Sequence, residues 1–302
     1  MKIAAAVLAS AVLSAGCEVN LNTEGVSARE TTTYKLTGQP ELALDTFDGA
    51  IELHSWDRSE IEIEVDRRAM EQAQLDQIKV EAKQDGNSIR LRVTGPPRER
   101  HGLTIGMRIS PTARLRVVVP RHANIVANSG DGSIRAEAIE GTLVLTTADG
   151  SVNGARLGGD VRIRSGDGSI RLQDTGGKLD LETKDGSIGI EVKPTVLHAK
   201  TGDGTIRARI APDTSMADNW DLTTGDGSVV VALPGAFSAE LDAETSDGSV
   251  RADHPLLRDR DDRRDESSES RHERRRALRS RIGDGGKVFR IRTGDGTIRI
   301  ER

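Results

Sequence analysis

Cysteine is nearly missing from this sequence: among 302 residues there is one, Cys17. That excludes an intramolecular disulfide and any cysteine-based metal cluster. Aromatic residues are almost as scarce, with two Trp, one Tyr and three Phe. A wide globular core leans on large aromatics. A thin core of stacked Val, Ile, Leu and Ala does not, so the composition points to a narrow β structure. Past the amino terminus no apolar run is long enough to cross a membrane. Strong charge of either sign is also lacking: the net charge is −5, which gives no reason to expect nucleic acid as a partner.

What is present begins at the first residue. Met1-Lys2 is followed by thirteen uncharged residues, Ile3 to Ala15, and then by Gly16-Cys17. A positive start, a short apolar stretch and small residues at its end read as an export signal over residues 1–16. The run Leu13-Ser14-Ala15-Gly16-Cys17 resembles the lipobox of a bacterial lipoprotein, with Ser14 where such signals more often carry Leu. The resemblance implies cleavage before Cys17 and its diacylation, which would tether the mature chain to a membrane without spanning it. An ordinary secretory signal with a chance cysteine is the alternative. Residues 17–33 are polar and aperiodic, and read as a lipidated tether.

The chain is organised around an Asp-Gly pair that returns at a fixed interval. It stands at Asp131-Gly132, Asp149-Gly150, Asp167-Gly168, Asp185-Gly186 and Asp203-Gly204, each 18 positions after the last. It recurs at Asp226-Gly227, Asp247-Gly248 and Asp295-Gly296, with gaps of 23, 21 and 48. Counting from the Asp, positions −2 and +2 are Ser or Thr in all eight copies, and +3 is Ile or Val. Apolar residues also fill −6, −4 and often +5; around Asp185 they are Leu179, Leu181, Ile188 and Ile190, with Asp180, Glu182 and Gly189 between them. Alternation on both sides of a turn predicts two short strands per unit, one face inward. Asp-Gly supplies the turn, because Gly accepts positive φ and Asp can bond its own local backbone.

A fixed period of this length marks a repeat fold whose units bury their apolar faces against one another. A β-solenoid of 18-residue coils, an antiparallel meander with Asp-Gly hairpins, and a 36-residue coil with two turns all fit the local pattern. Constancy of the period favours the solenoid, since stacking demands equal coil lengths and hairpins may drift. Position +4 runs Arg135, Asn153, Arg171, Gly189, Arg207. That alternation fits a duplicated pair of coils, or an arrangement that keeps like charges from stacking directly.

Residues 34–120 form a less regular β-rich part. It holds a degenerate copy at Asp48-Gly49 with Ala50 at +2, a strand over Glu60–Val65, a short helix within Met70–Gln77, a hairpin at Gln84-Asp85-Gly86-Asn87, and a strand over Arg114–Val119 stopped by Pro120. A boundary near Pro120 opens the regular repeats of residues 121–252. Residues 253–286 interrupt them: Arg258 to Arg281 carries ten Arg and seven acids. This stretch reads as a solvated insertion, with Ser270 and Glu273 as a capping box for a short helix. Residues 287–302 are a final copy, expected to close the stack.

Little of this points to chemistry, and no catalytic residue, metal site or cofactor is expected. The Asp row differs from the calcium-binding nonapeptide pattern, because Ser or Thr flanks each Asp-Gly where further Gly and Asp would stand. Polysaccharide-cleaving sites need paired carboxylates or an Asp-Arg cluster that breaks the repeat, whereas here the charges follow it. The six histidines, His54, His101, His122, His198, His254 and His272, lack metal spacing. Gly-Asp-Gly is no phosphate loop, since no Gly-Lys-Ser/Thr follows.

The segment RLRVVVP, followed by ANSGDGSIRAEAIEGTLVLTTADGSV and the returning DGSI and DGSV units, resembles the bacterial DUF4097 domain, a β-strand repeat domain described as adhesin-like. The resemblance covers about Tyr34 to Arg302, with the Arg-rich insertion a departure from it. It implies an all-β repeat fold similar to a β-helix, exported and often membrane-attached, and it brings no catalytic residues. The resulting expectation is an all-β solenoid anchored through Cys17 in the bacterial cell envelope, on its periplasmic or cell-surface side. It would act as a non-catalytic adhesion or surface scaffold, offering its charged faces to a protein or an anionic polysaccharide. A regulatory or envelope-stress component binding another envelope protein is one alternative; a polysaccharide-processing enzyme is the other.

Overall fold

The computed structural model describes residues 18–22, 25–97, 110–255, 257–259 and 276–302. The fold is all-β, built as one 24-stranded sheet. The strands before the regular repeats are β1 (Glu18–Asn22), β2 (Gly25–Lys35), β3 (Glu41–Thr46), β4 (Ile51–Trp56), β5 (Glu60–Ala69), β6 (Lys79–Asp85), β7 (Ser88–Thr94) and β8 (Thr112–Pro120). A one-turn helix, α1 (Gln72–Leu75), lies between β5 and β6. The repeats supply β9 (Asn124–Ser129), β10 (Ile134–Glu137), β11 (Glu140–Thr147), β12 (Val152–Ala155), β13 (Gly158–Ser165), β14 (Ile170–Thr183), β15 (Ile188–Thr201) and β16 (Ile206–Ile210). The remainder are β17 (Trp220–Thr224), β18 (Val229–Ala232), β19 (Ala239–Thr245), β20 (Ser249–Ala252), β21 (Leu257–Asp259), β22 (Ala277–Ile282), β23 (Val288–Thr293) and β24 (Thr297–Glu301).

Strands on either side of an Asp-Gly turn do not pair with each other as hairpin arms. Each pairs in parallel with its counterpart in the next unit: Leu143 with Ile125 and Val161, Val152 with Ile134 and Ile170. Two parallel columns result. The strand before the turn runs through β7, β3, β9, β11, β13, the second half of β14 and that of β15, then β17, β23 and β19. We call its outer surface the first face. The strand after the turn runs through β8, β4, β10, β12, the first halves of β14 and β15, then β16, β18, β24 and β20, and carries the second face.

Strand alternation sends every second side chain inward. Ile134, Val152, Ile170, Ile188, Ile206, Val229 and Ile298, all at +3, are fully buried, and both columns contribute to one continuous aliphatic core. Its three large aromatics gather towards one end, where the ring centroid of Trp220 lies 5.5 Å from those of both Phe237 and Phe289.

Three expectations are corrected here. The residues expected as a polar tether are strand: β2 pairs antiparallel with β5, placing Tyr34 opposite Ile61, and β1 pairs antiparallel with β2. Thr31, Thr32, Thr33 and Tyr34 are good strand formers, and the edge of β5 offers them a partner. The end of the expected insertion is also strand, because β22 lies antiparallel on β19 and buries Leu278, Ser280 and Ile282. Alternation with Arg279 and Arg281 hid that face among the charges. Finally, the last repeat does not close the stack: β23 pairs with both β17 and β19, and β24 with both β18 and β20. It is inserted between the layers of Asp226 and Asp247.

The less regular part before Pro120 joins the same stack, since β3 and β4 pair in parallel with β9 and β10, and β7 and β8 with β3 and β4. Antiparallel strands cover both ends: β6 on β7 and β5 on β8 at one, β22 on β19 at the other. Covering terminal units protects the open edges of a repeat array. The sites expected at Cys17, Ser270 and Glu273 lie outside the described residues.

Candidate functional site

The Asp-Gly corners come first, because they bring the most regular residues together. Stacking puts Asp131, Asp149, Asp167, Asp185, Asp203, Asp226, Asp295 and Asp247 on one edge of the molecule, all exposed. The glycines beside them are not in the left-handed region; in this row only Gly49, in the degenerate copy, has a positive φ, of 126°. Their requirement is close approach. A Cβ on Gly168 would stand 2.0 Å from the carbonyl oxygen of Gly150, and one on Gly186 2.1 Å from that of Gly168. The same contact recurs at Gly132, Gly150, Gly204, Gly227, Gly248 and Gly296. Only a residue without a side chain lets the corners stack at strand spacing.

The Ser or Thr at −2 holds each corner to its neighbour. The buried Thr147 hydroxyl donates to the Gly132 carbonyl at 2.8 Å and accepts the Gly150 N–H at 3.2 Å. Ser165 repeats this with Gly150 and Gly168 at 2.9 and 3.1 Å. Thr183, Thr201, Thr224, Thr293 and Thr245 each donate to the preceding layer's glycine, at 2.7 to 3.0 Å. Each hydroxyl satisfies a buried carbonyl that the sheet ladder leaves over. Side-chain bonding at each corner is thus supplied by the residue two before Asp.

A second glycine row escaped the sequence reading. Gly141, Gly159 and Gly177, with φ of 142°, 96° and 89°, stack at the opposite corner, next to Ala138, Arg156 and Asp174, which also have positive φ. Their regular spacing was visible in the sequence, but without Asp-Gly to mark it.

The two outer faces handle charge differently. On the first face the sign alternates from layer to layer between β13 and β19, while β9 and β11 carry the uncharged Val126, Asn128, Val144 and Thr146. Arg162 lies 3.4 Å from Asp180, and Arg164 lies 3.2 Å from Glu182. Nearer the far end Arg292 meets Asp242 at 2.6 Å and Glu244 at 3.5 Å, while Arg279 approaches Asp242 at 3.4 Å. Burial alone would raise the Asp242 carboxyl, but Arg292 and then Arg279 outweigh it and hold the group below its ordinary value.

On the second face the +4 row runs Glu52, Arg135, Asn153, Arg171, Gly189, Arg207, Val230, Arg299, Arg251, one residue per layer. Arginines thus alternate with uncharged residues from Arg135 to Arg299 and stand in adjacent layers only at the far end. Arg135, Arg171, Arg207 and Arg299 are exposed, and none makes an ion pair or side-chain hydrogen bond among the described residues. Between them lie two shallow grooves, of about 380 Å³ beside Arg135 and Asn153 and about 350 Å³ beside Gly189 and Arg207, which share Arg171 and Gln173. The acids at the margins are mostly taken: Glu137 is bonded to Arg156 and lies 3.4 Å from His54, and Glu191 is 2.9 Å from Arg209.

The described histidines, His54, His122, His198 and His254, stay apart. His122 contacts Glu140 at 3.5 Å, and the buried His254 bonds the Pro234 carbonyl at 3.1 Å. Among the described residues no three His, Cys, Asp or Glu side chains converge as metal ligands would. Nor is any described helix long and apolar enough to cross a membrane.

No curated protein matches the chain. Among solved structures, a "putative adhesin" from Bacteroides fragilis is 13% identical and covers 90% of this chain and 96% of its own, with a TM-score of 0.44. Another, from Parabacteroides merdae, is 10% identical over 91% and 96%, with a TM-score of 0.39. A "putative lipid binding protein" from Parabacteroides distasonis is 11% identical over 91% and 97%, with a TM-score of 0.32. The Toastrack DUF4097 family model matches residues 40–301, from just before β3 to the end of β24, and the chain belongs to the Toastrack family.

Proposed function

We infer that this is an exported envelope protein, anchored by a lipid on Cys17, whose β-repeat body is a non-catalytic scaffold for adhesion or surface contact. The observation that carries the reading is the hydroxyl–glycine ladder, which passes from Ser129 to Thr245 and binds each corner to the next. The most repeated residues are thereby committed to holding a long body together, and the outward rows are left to be presented. We read the parallel columns, in which Ile134 pairs with Val152 and Val152 with Ile170, as a solenoid of two-strand coils. Residues 1–16 are the cleaved leader in this reading, and β1 and β2 carry the anchor directly into the fold.

Cys17→Ser is the decisive variant. Membrane fractions of cells producing it should lose the protein to the soluble fraction, since one or two acyl chains supply the attachment. Retention of the variant in the membrane would overturn the anchor.

A further inference from the structure

The +4 row of the second face combines three features that the first face lacks. From Arg135 to Arg207 arginines occupy alternate layers, the intervening residues are small or uncharged, and these arginines have no acidic partners among the described residues. Only at the far end do two arginines, Arg299 and Arg251, lie in adjacent layers. Avoidance of like-charge stacking explains the spacing alone. It does not explain the missing partners, because the first face meets the same problem with counter-charges, as at Arg162 with Asp180 and Arg164 with Glu182. From Arg135 to Arg207 on the second face the repulsion is relieved by neutral spacers, which leaves each of these guanidinium groups with unused donors directed at solvent.

We propose that this row is a binding track for an extended acidic polysaccharide carrying one anionic group per disaccharide. Parallel layers lie about 4.8 Å apart, so alternate arginines recur at about 10 Å, the order of length of a two-sugar repeat in an extended chain. Arg135, Arg171 and Arg207 would each take one carboxylate or sulfate through the fork geometry of guanidinium. Asn153 and Gly189 leave the grooves in which the uncharged sugars would lie. Gly189 has open space within 4 Å of where a Cβ would be, so its smallness is not imposed by packing. Single-stranded nucleic acid fits less well, since it calls for aromatic platforms and neither groove is lined by an aromatic residue. The inference rests on the reading of the body as a surface scaffold, but its test uses the detergent-solubilised full chain and does not depend on the anchor.

Titration calorimetry with hyaluronan oligosaccharides, which have one carboxylate per disaccharide, supplies that test. Binding at low ionic strength should weaken as salt is added, and neutral dextran should not bind. Changing Arg135, Arg171 and Arg207 together to Gln should cost about tenfold or more in affinity. The first-face pair Arg162→Gln and Arg164→Gln should leave it within about twofold. If the triple variant lacks a cooperative melt, Arg171→Gln alone decides, with an expected loss of about threefold. Absence of hyaluronan binding would overturn the proposal. So would a full-strength triple variant, an equal loss in the first-face pair, or dextran binding as well as hyaluronan. Tighter binding of oligothymidylate, lost in the triple variant, would reassign the track to nucleic acid.

Discussion

Gly168 and Gly189 sit one layer apart in the same stack and have opposite requirements. A methyl group on Gly168 would meet the Gly150 carbonyl oxygen at 2.0 Å, and that oxygen belongs to backbone fixed by its own layer. The layers would have to separate, and the Ser165 hydroxyl would lose its place between them. Gly168→Ala should therefore cost about 3 kcal/mol, at the upper end of overpacking changes. Gly189→Ala should fall within about 0.5 kcal/mol of wild type. Thermal melts of the two variants separate the cases, and equal midpoints would show that the corners do not stack as described. The sequence already marked −2, +2 and +3 as fixed in type, and its alternation predicted two strands per unit with one face inward. What it could not show was why Gly follows Asp. Positive φ is the usual reason for Gly in a turn, and close approach between one repeat and the next leaves no local signature.

At the scale of the strand, inward alternation was readable wherever it ran through several residues, and charge pairing was not. Arg290, Arg292, Asp242 and Glu244 are widely separated in sequence, yet they form one cluster because β23 enters beside β19. The Asp242 carboxyl is held below its ordinary value by Arg292 and Arg279 against the opposing effect of burial. A carboxyl depressed in the folded state stabilises fully above its unfolded pKa, about 3.9, and that contribution is lost as pH falls through the lower folded value. Arg292→Met should cost about 1 kcal/mol at neutral pH, with solvent keeping the pair near the surface range. The variant should also lose less stability than wild type on acidification below about pH 4. Parallel curves of melting temperature against pH for the two proteins would mean that Arg292 does not hold the carboxyl ionised. The strand β2 was missed for a different reason. It ends at Lys35 and its partner β5 begins only at Glu60, and the polar sequence shows no inward row without that partner.

The whole molecule departs most from the order of its sequence. Repeat arrays gain stability from each unit plus its contacts with immediate neighbours. The final strands of the chain, β23 and β24 with the turn between them, occupy an interior layer. The long gap between Asp247 and Asp295 lets the chain leave the end of the stack and return one layer earlier. Phe289 then completes the cluster with Trp220 and Phe237. No local pattern in the sequence carries this order, since every copy presents the same inward face. Ending the chain after Gly286 would remove both parallel neighbours at once, that of β17 and β18 and that of β19 and β20. Native-state hydrogen exchange should show amides of β17 to β20 losing protection together, while β9 to β13, several layers away, keep theirs. Were the final repeat a terminal cap, the truncated chain would keep β19 and β20 protected, and that result would reject the inserted position.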